Sequence, residues 1–306
     1  MNEKQININK LLQYNEKESK LYMPNEIFND LKASGIKSKH IPLAYSYYYL
    51  ISWLYRYTKY QIGTIIDHKL IKQLLGYSPT YPEIDYIIKR NGELDKIGYT
   101  TTEKDIPLSW TFEDDFLDFY MLSDLDEDMQ RIIKQQLSRK YTIKFPNKAF
   151  HRSRESEEDK YLDGTFYDIS NTHLVEFEVF TFCMNKKEIG VTGFYLWSYL
   201  KIKNQLYSGG YDVSLDDLSC ETGIARSTMC EYLNRLKEYK MIKCVHNQEY
   251  FCFGLDSDEK KANTYITNEW EYFSDSKMKI ERMKFVSTKE HEQIVENREG
   301  LVELFG

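Results

Sequence analysis

Two aromatic, apolar stretches of the chain are predicted to form its central helices. They are Leu43–Tyr60, LAYSYYYLISWLYRYTKY, and Phe194–Leu206, FYLWSYLKIKNQL. Each is followed by a shorter amphipathic segment, a glycine and a further amphipathic helix. The spacing is similar in both, 23 residues from Trp53 to Gly76 and 26 from Trp197 to Gly223. The pattern indicates two copies of one unit, against the alternative of chance similarity between helical segments.

The second copy predicts two helices joined by a tight turn. Ser214 is suited to cap the first of them, and Gly223 ends it, because glycine tolerates the left-handed conformation of such a turn. Met229, Leu233 and Leu236 follow at spacings of three and four residues, which is typical of the buried face of a helix. The segment therefore predicts a helix-turn-helix.

After this helix-turn-helix the pattern changes to short strands. Two strands are predicted to flank His246–Gln248 as a hairpin, and NTYITNEWEYF (263–273) is suited to return a further strand. Helix, helix, turn, helix and hairpin follow one another in the order of a winged helix. The second copy is therefore expected to be a winged-helix domain.

The first copy follows the same order more loosely. YSPTYP (77–82) replaces the tight turn, and Thr101–Asp105 is predicted to form a wing between IGYT and IPLSWTF. Only Lys89 and Arg90, at the end of its third helix, are basic. This unit is expected to contact protein at least as readily as DNA, and a homodimer through it is one expected partnership.

The fold class expected from these patterns is mainly α with small β wings, comprising two winged helix-turn-helix domains. Between them, Ser123 is expected to cap one helix, and the chain from Lys140 onward is predicted to be largely irregular. The expected divisions are an N-terminal arm (1–20), a first winged-helix domain (21–112), an acidic-then-basic linker with one helix (113–170), a second, DNA-reading winged-helix domain (171–270) and a charged C-terminal tail (271–306).

Charge is distributed in blocks that the net value of −7 conceals. Residues 113–128 hold eight acidic side chains and no lysine or arginine, whereas residues 129–154 hold eight basic ones and no acid. The basic block either follows a phosphate backbone or pairs with the acidic block. If the acidic block covers the basic block, deletion of Glu113–Asp128 is expected to tighten nonspecific DNA binding. The linker residues expected to contact DNA are Arg139, Lys140, Lys144, Lys148, Arg152 and Arg154.

Composition argues against several classes of protein. Apolar residues make up 42% and charged residues 29% of the 306, which is typical of a soluble globular chain. A signal peptide and a membrane-spanning segment are not expected, so the predicted location is cytoplasmic. The five cysteines form no C-x-x-C pair, which argues against a disulfide framework or a zinc site. No metal and no cofactor are expected.

Catalytic motifs are also missing from the sequence. It contains no glycine-rich phosphate loop, no G-x-S-x-G elbow and no H-E-x-x-H motif. His173, near Glu176 and Glu178, is the nearest approach to an acid–base group. The alternation in HLVEFEVF is more typical of a strand with outward-facing polar residues. The protein is therefore expected not to be an enzyme.

The helix-turn-helix supplies the candidate DNA-binding residues. A helix fits the major groove, where each base pair presents its own pattern of donors and acceptors, and residues at the start of the second helix reach the bases. The expected base-reading residues are Arg226, Ser227, Thr228 and Glu231. The residues expected to hold backbone phosphates are Lys201, Lys203, Arg235, Lys237 and Lys243. The alternative is a winged helix that contacts only protein.

The last residues, LVELF (301–305), resemble the tail motif with which bacterial replication proteins dock on the sliding clamp. The acidic third position and the Leu304–Phe305 ending match, whereas Leu301 replaces the leading glutamine and Val302 the usual leucine. Truncation of Leu304 and Phe305 is expected to abolish clamp binding and to leave DNA binding intact.

The segment from NTHLVEFEVF to LNRLKEYKMIKC, with KKANTY after it, resembles winged-helix DNA-binding proteins of plasmids and phages of low-GC Gram-positive bacteria. LGYSPTYPEIDYIIKRNGELDKIGYTTTEKDIPLSWTF and FPNKAFHRS resemble the remainder of one plasmid-borne group. Tandem winged helices also resemble plasmid replication initiators, in which one unit dimerises and the other reads repeats. The resemblance covers most of residues 43–265.

Together, the patterns and the resemblance predict a non-enzymatic, sequence-specific double-stranded DNA-binding protein of a mobile element. Transcription regulation is the first expectation. A plasmid or phage replication initiator that binds origin repeats is the second, and a winged-helix protein-interaction module without DNA binding is the third. The target sequence, the oligomeric state and any effector are not specified by the sequence.

Overall fold

A computed structural model describes residues 8–60, 65–114, 116–253, 255 and 260–305, without the side chains of 9, 10 and 298–305. Helices predominate, and the strands form sheets of two or three members. The expectation of a mainly helical protein with small sheets is confirmed at this level. Among the described residues, no helix is both long and apolar enough to cross a membrane.

The first half of the chain is built around one long buried helix. Its elements are α1 (Ile8–Leu11), β1 (Lys20–Pro24), α2 (Ile27–Ala33), α3 (Ile41–Arg56), α4 (His68–Leu74), α5 (Asp85–Ile88), α6 (Glu93–Lys96) and β2 (Thr100–Glu103). Every side chain of α3 from Ile41 to Tyr55 is buried. Because α3 is apolar on all sides, it packs in the centre of the molecule and is surrounded by the other elements.

The middle of the chain is more ordered than its sequence pattern suggests. Its elements are β3 (Pro107–Glu113), β4 (Phe116–Met121), α7 (Glu127–Gln136), β5 (Ile143–Pro146), α8 (Asn147–Phe150) and α9 (Arg154–Glu158). The expectation of an irregular chain after Lys140 is wrong for β5 and α8, because Ile143 and Phe150 are buried in the core. The cap of α7 is Asp126 rather than Ser123, since Asp126 accepts the Met129 N–H at 2.9 Å.

The second half contains the remaining helices and strands. Its elements are β6 (Thr172–Glu176), α10 (Phe177–Asn185), α11 (Gly190–Leu206), β7 (Tyr211–Val213), α12 (Leu215–Thr222), α13 (Arg226–Glu238), β8 (Ile242–Val245), β9 (Tyr250–Phe251), β10 (Asn263–Thr267), β11 (Lys284–Phe285) and α14 (Thr288–Phe305). The segment HLVEFEVF, predicted as one strand, is a strand only as far as Glu176, and from Phe177 the chain continues as helix α10.

The two halves share one core. Strands β1 and β6 pair antiparallel, with Leu21 opposite Val175, and α3 packs against α11. Aromatic rings fill the contact: Tyr45 lies 5.6 Å from Tyr195, and Tyr49 lies 5.0 Å from Phe194. One contiguous cluster of buried side chains runs through both halves.

The strands of two predicted hairpins pair with other strands instead of with each other. β2 pairs with β5, with Thr100 opposite Pro146, and β3 pairs with β4, so the expected wing at Thr101–Asp105 is wrong. β8 pairs with β10 rather than with β9, and β9 pairs with β11, so the hairpin around His246–Gln248 is also wrong. The strand expected in NTYITNEWEYF is confirmed as β10. Strand patterns identify strands, but partners far apart in sequence are chosen by the tertiary fold.

Candidate nucleic-acid interface

The two helices and the tight turn predicted for the second copy are present as α12, α13 and Gly223. Ser214 caps α12 by accepting the Asp217 N–H at 3.1 Å, and Gly223 ends it with a left-handed φ of +72°. Met229, Leu233 and Leu236 are buried on one side of α13, which packs against α11. The expected cap, turn and buried face of this segment are confirmed.

The opposite side of α13 presents the predicted base-reading residues to solvent. Arg226, Ser227 and Glu231 are exposed, and Thr228 is half-buried. The Arg226 Nε lies 2.8 Å from the Asp216 Oδ1 of α12, and both side chains are more than half exposed. Glu231 pairs with Arg235 one turn along the helix. The four residues therefore share one outer surface, on which each charged member already has a partner of opposite sign.

Three of the five predicted phosphate-binding residues are partly buried and engaged. The Lys201 Nζ lies 2.9 Å from Glu269 and above the Trp197 ring, and the Lys203 Nζ lies 3.6 Å from Glu221. Arg235 donates to the Glu188 carbonyl as well as to Glu231. Ion pairs between fully exposed side chains are weak and exchange readily. These three basic side chains are only 13–25% exposed, so they are less free to leave their partners.

Lys237 and Lys243 are the freer members of the phosphate-binding set. Lys237 is half-buried and Lys243 is exposed, and neither forms an ion pair with the described residues. Lys243 lies on β8, opposite Ile266 of β10. These two lysines are therefore the members of the predicted phosphate-binding set that are open to an anionic partner.

The predicted linker residues separate into buried and exposed groups. The side chain of Lys144 is 0% exposed, and its Nζ lies 2.5 Å from the Asp95 Oδ1. Burial lowers the pKa of the Lys144 ammonium, and Asp95 opposes that shift. Because Asp95 and the fold enclose it, the expectation that Lys144 contacts DNA is wrong.

Arg152 is also held within the fold. Its guanidinium lies 3.2 Å from Glu26 and donates to the carbonyls of Asp168 and Ser170. Lys148 is half-buried and donates to the Arg152 carbonyl at 2.5 Å. Only Arg139, Lys140 and Arg154 of the six are exposed. The predicted basic linker is therefore not one continuous basic surface.

The acidic and basic blocks do not cover each other extensively. Among the described residues, Asp128 and Arg131, three residues apart on α7, form the one ion pair that joins residues 113–128 to residues 129–154. Other acids of the block have local roles: Asp126 caps α7, and Asp124 accepts the Met121 N–H. The expected acidic cover over the basic block is therefore not seen in this part of the chain.

The first half of the molecule supports the turn of the helix-turn-helix, which the sequence did not predict. The Lys32 ammonium, on α2, donates to the carbonyls of Cys220 and Glu221 at 2.9 Å each. A groove of about 580 Å³ lies between the two halves here, with Pro42 on one side and Thr228 on the other. No local sequence pattern signals this contact, because its members are far apart along the chain.

The corresponding region of the first half differs in shape and charge. The helix predicted to correspond to α13, α5, has four residues, Asp85–Ile88. Asp85 binds both Lys72, at 2.6 Å, and Lys89, at 2.7 Å, so one carboxylate occupies two basic side chains. A helix of one turn presents too little surface to follow a groove.

The remaining candidate residues have structural surroundings. His173 is fully buried, with Nε2 2.7 Å from the Tyr45 hydroxyl and Nδ1 3.0 Å from the Asn25 Oδ1. Burial lowers its pKa to about 3. No group of three or more potential metal ligands occurs within the described residues. Leu304 and Phe305 end α14, and their side chains lie outside the described residues.

Comparison of the chain with family models, with curated proteins and with solved structures finds no match.

Proposed function

We propose that the protein is a non-enzymatic, sequence-specific double-stranded DNA-binding protein that reads DNA with α13. The observation that carries the proposal is the exposed polar leading edge of α13, fixed in place by a buried opposite face. Arg226, Ser227 and Thr228 occupy the first turn, the part of a helix-turn-helix that reaches base edges. Arg226 is suited to a guanine, which accepts two hydrogen bonds from one guanidinium.

The order of elements in the second half supports a winged-helix reading of this unit. α11, β7, α12, α13, β8 and β10 follow one another, and β10 lies between β7 and β8 in the sheet. In this interpretation β8 and β10, which pair antiparallel, are the two strands of the wing. Lys243 stands at the base of that wing, where a phosphate contact is expected.

Transcription regulation is the proposed role, and replication initiation is the second candidate. The second candidate is favoured by the internal duplication: β1–α2–α3 and β6–α10–α11 have the same order, and their strands and long helices pair. A footprint over tandem repeats beside an origin supports initiation, whereas a single footprint over a promoter supports regulation.

Substitution of Arg226 tests the proposal directly. Arg226→Ala is expected to weaken binding to the preferred duplex by about 1–3 kcal/mol and to relax preference at one base pair. Gel shift or fluorescence anisotropy measures both effects. Arg131→Ala is the matched control, because Arg131 also forms an exposed pair with an aspartate, Asp128 at 3.1 Å, on a different helix.

Three outcomes of this comparison contradict base reading by α13. Equal loss on every sequence assigns Arg226 to a phosphate, and no loss removes α13 from the interface. A protein-interaction module without DNA affinity gives no salt-dependent shift at all, whereas a protein that binds phosphates loses affinity steeply as the salt concentration rises.

A further inference from the structure

A polar pocket of about 410 Å³ lies between the first half and the middle of the chain, and its lining includes no residue of α13. It is formed where the end of α6 and the loop before β2 face α8 and the chain leading into α9. Asp95, Gly98, Asn147, Lys148, Arg152 and Arg154 contribute to its walls. Volumes of this order accommodate small molecules of mononucleotide size.

Asn147 is a buried polar side chain without a partner in this pocket. It is 7% exposed, and its Oδ1 forms no hydrogen bond with the described residues. Buried amides are usually hydrogen-bonded, because an unsatisfied polar atom costs about 1–3 kcal/mol. Because a carboxamide can both donate and accept, Asn147 is suited to a ligand that carries both kinds of group.

Arg152 supplies a second unsatisfied polar atom. Its terminal nitrogens are occupied by Glu26 and by the carbonyls of Asp168 and Ser170, which fixes the guanidinium in one orientation. Its Nε is buried and has no partner among the described residues. A fixed N–H donor of a guanidinium is a strong partner for an anionic oxygen.

Two further cations complete the pocket. The Lys148 ammonium donates to the Arg152 carbonyl at 2.5 Å and, with three N–H groups in total, retains donors for a ligand. Arg154 is exposed and forms no ion pair with the described residues. Of the two acids that line the pocket, Asp95 is paired with Lys144 and Glu157 stands at the exposed rim; a third acid, Glu26, is paired with Arg152.

We propose that this pocket binds a small phosphorylated ligand of mononucleotide size. The Arg152 Nε, the Lys148 ammonium and the Arg154 guanidinium would hold the phosphate, and the Asn147 amide would bind a polar ring or sugar edge. The same three cations are also suited to a phosphate of a DNA backbone, so the test separates these two sources of phosphate.

The experiment titrates the full chain by calorimetry with each of the four ribonucleoside 5′-monophosphates, with the matching nucleosides and with inorganic phosphate. At least one monophosphate is expected to bind with a Kd below about 1 mM, and its nucleoside about tenfold or more weakly, because the charge-assisted bonds are lost. Failure of all four to saturate overturns the proposal, as does equal binding of the nucleoside.

Arg154→Glu tests the location without disturbing the core, because Arg154 is exposed. It is expected to weaken monophosphate binding about tenfold or more, whereas Arg139→Glu, an equal charge change at an exposed residue outside the pocket, leaves it unchanged. Equal weakening by both variants would show nonspecific attraction and overturn the site. Loss of duplex DNA binding in Arg154→Glu, with no monophosphate bound by the parent chain, would assign the cations to DNA instead.

Discussion

At the scale of single residues, the most informative feature is the pair between Arg226 and Asp216. The two side chains are 63% and 74% exposed and lie 2.8 Å apart, so they form a surface pair that a stronger partner can displace. Asp216 holds the guanidinium at the start of α13 and, in the proposed complex, would compete with DNA for it. The acid would therefore limit how strongly Arg226 binds the DNA.

Removing that competitor is expected to strengthen DNA binding. Asp216→Asn should tighten affinity for duplex DNA several-fold, because it frees Arg226 and removes one negative charge that faces the phosphates. Asp128→Asn, which breaks the corresponding pair with Arg131 on α7, is the control and should have little effect. Anisotropy titrations at one salt concentration measure both, and unchanged affinity in Asp216→Asn would place the pair outside the interface.

The burial of Lys144 could not be predicted from the sequence. A lysine in a segment with eight basic residues and no acid is expected on the surface, yet Lys144 is enclosed, with its Nζ 2.5 Å from the Asp95 Oδ1. The pairing depends on β2 and β5 lying side by side, with Thr102 opposite Lys144. Local charge patterns do not contain that information, whereas the Ser214 cap, the Gly223 turn and the Met229 face follow from local chemistry and were predicted.

At the scale of elements, β1 and β6 connect the halves through a buried histidine. His173 lies on β6 opposite Met23, between the Tyr45 hydroxyl and Asn25. In the neutral ring one nitrogen donates, here to the Asn25 Oδ1, and the other accepts, here from Tyr45. Protonation adds a buried charge without a counterion, which is why burial lowers the pKa of His173 to about 3.

This histidine makes stability depend on pH in a defined direction. Its folded pKa of about 3 lies below the usual value of 6.5, so the stabilisation is complete above pH 6.5 and decreases as the pH falls toward 3. At pH 5 His173 should lower the free energy of unfolding by about 2 kcal/mol relative to pH 7. Urea titrations at the two pH values measure this difference.

The control for this prediction is removal of the histidine itself. His173→Gln should reduce the slope of the free energy of unfolding against pH by up to about one bound proton. An identical pH dependence in the parent chain and in His173→Gln would show that His173 is not the responsible group.

Element boundaries followed from sequence better than element partners did. The long helices α3 and α11 begin only two and four residues before the predicted starts at Leu43 and Phe194. The strands after each predicted helix-turn-helix were expected to pair with their nearest neighbours in sequence, whereas β2 pairs with β5 and β8 pairs with β10. Helix formation is governed by local periodicity, but strand pairing is settled by which surfaces the whole fold buries.

At the scale of the whole molecule, the two halves are joined by a shared core. α3 and α11 pack against each other as well as against neighbouring elements of their own halves, and aromatic rings fill the contact between them, such as Tyr45 with Phe194 at 5.7 Å. Neither half has a separate core of comparable size within the described residues, where the second, smaller cluster includes Tyr250, Cys252 and Val286. The halves are therefore expected to fold and unfold together.

Calorimetry tests this coupling. Heating should give one unfolding transition that involves both halves, with a van't Hoff enthalpy close to the calorimetric one. Leu233→Ala in α13, which removes a buried side chain, should shift that transition as a whole to lower temperature. Two resolved transitions, of which Leu233→Ala moves only one, would show that the halves are independent domains.

The central claim, that α13 reads the bases of duplex DNA, is tested most directly by selecting bound sequences from random duplexes with the parent chain and with Arg226→Ala. Reading by α13 predicts that the parent chain enriches one common sequence and that the variant enriches the same sequence with one base pair no longer specified. Enrichment of no sequence by the parent chain, or of an identical sequence by both proteins, would contradict it.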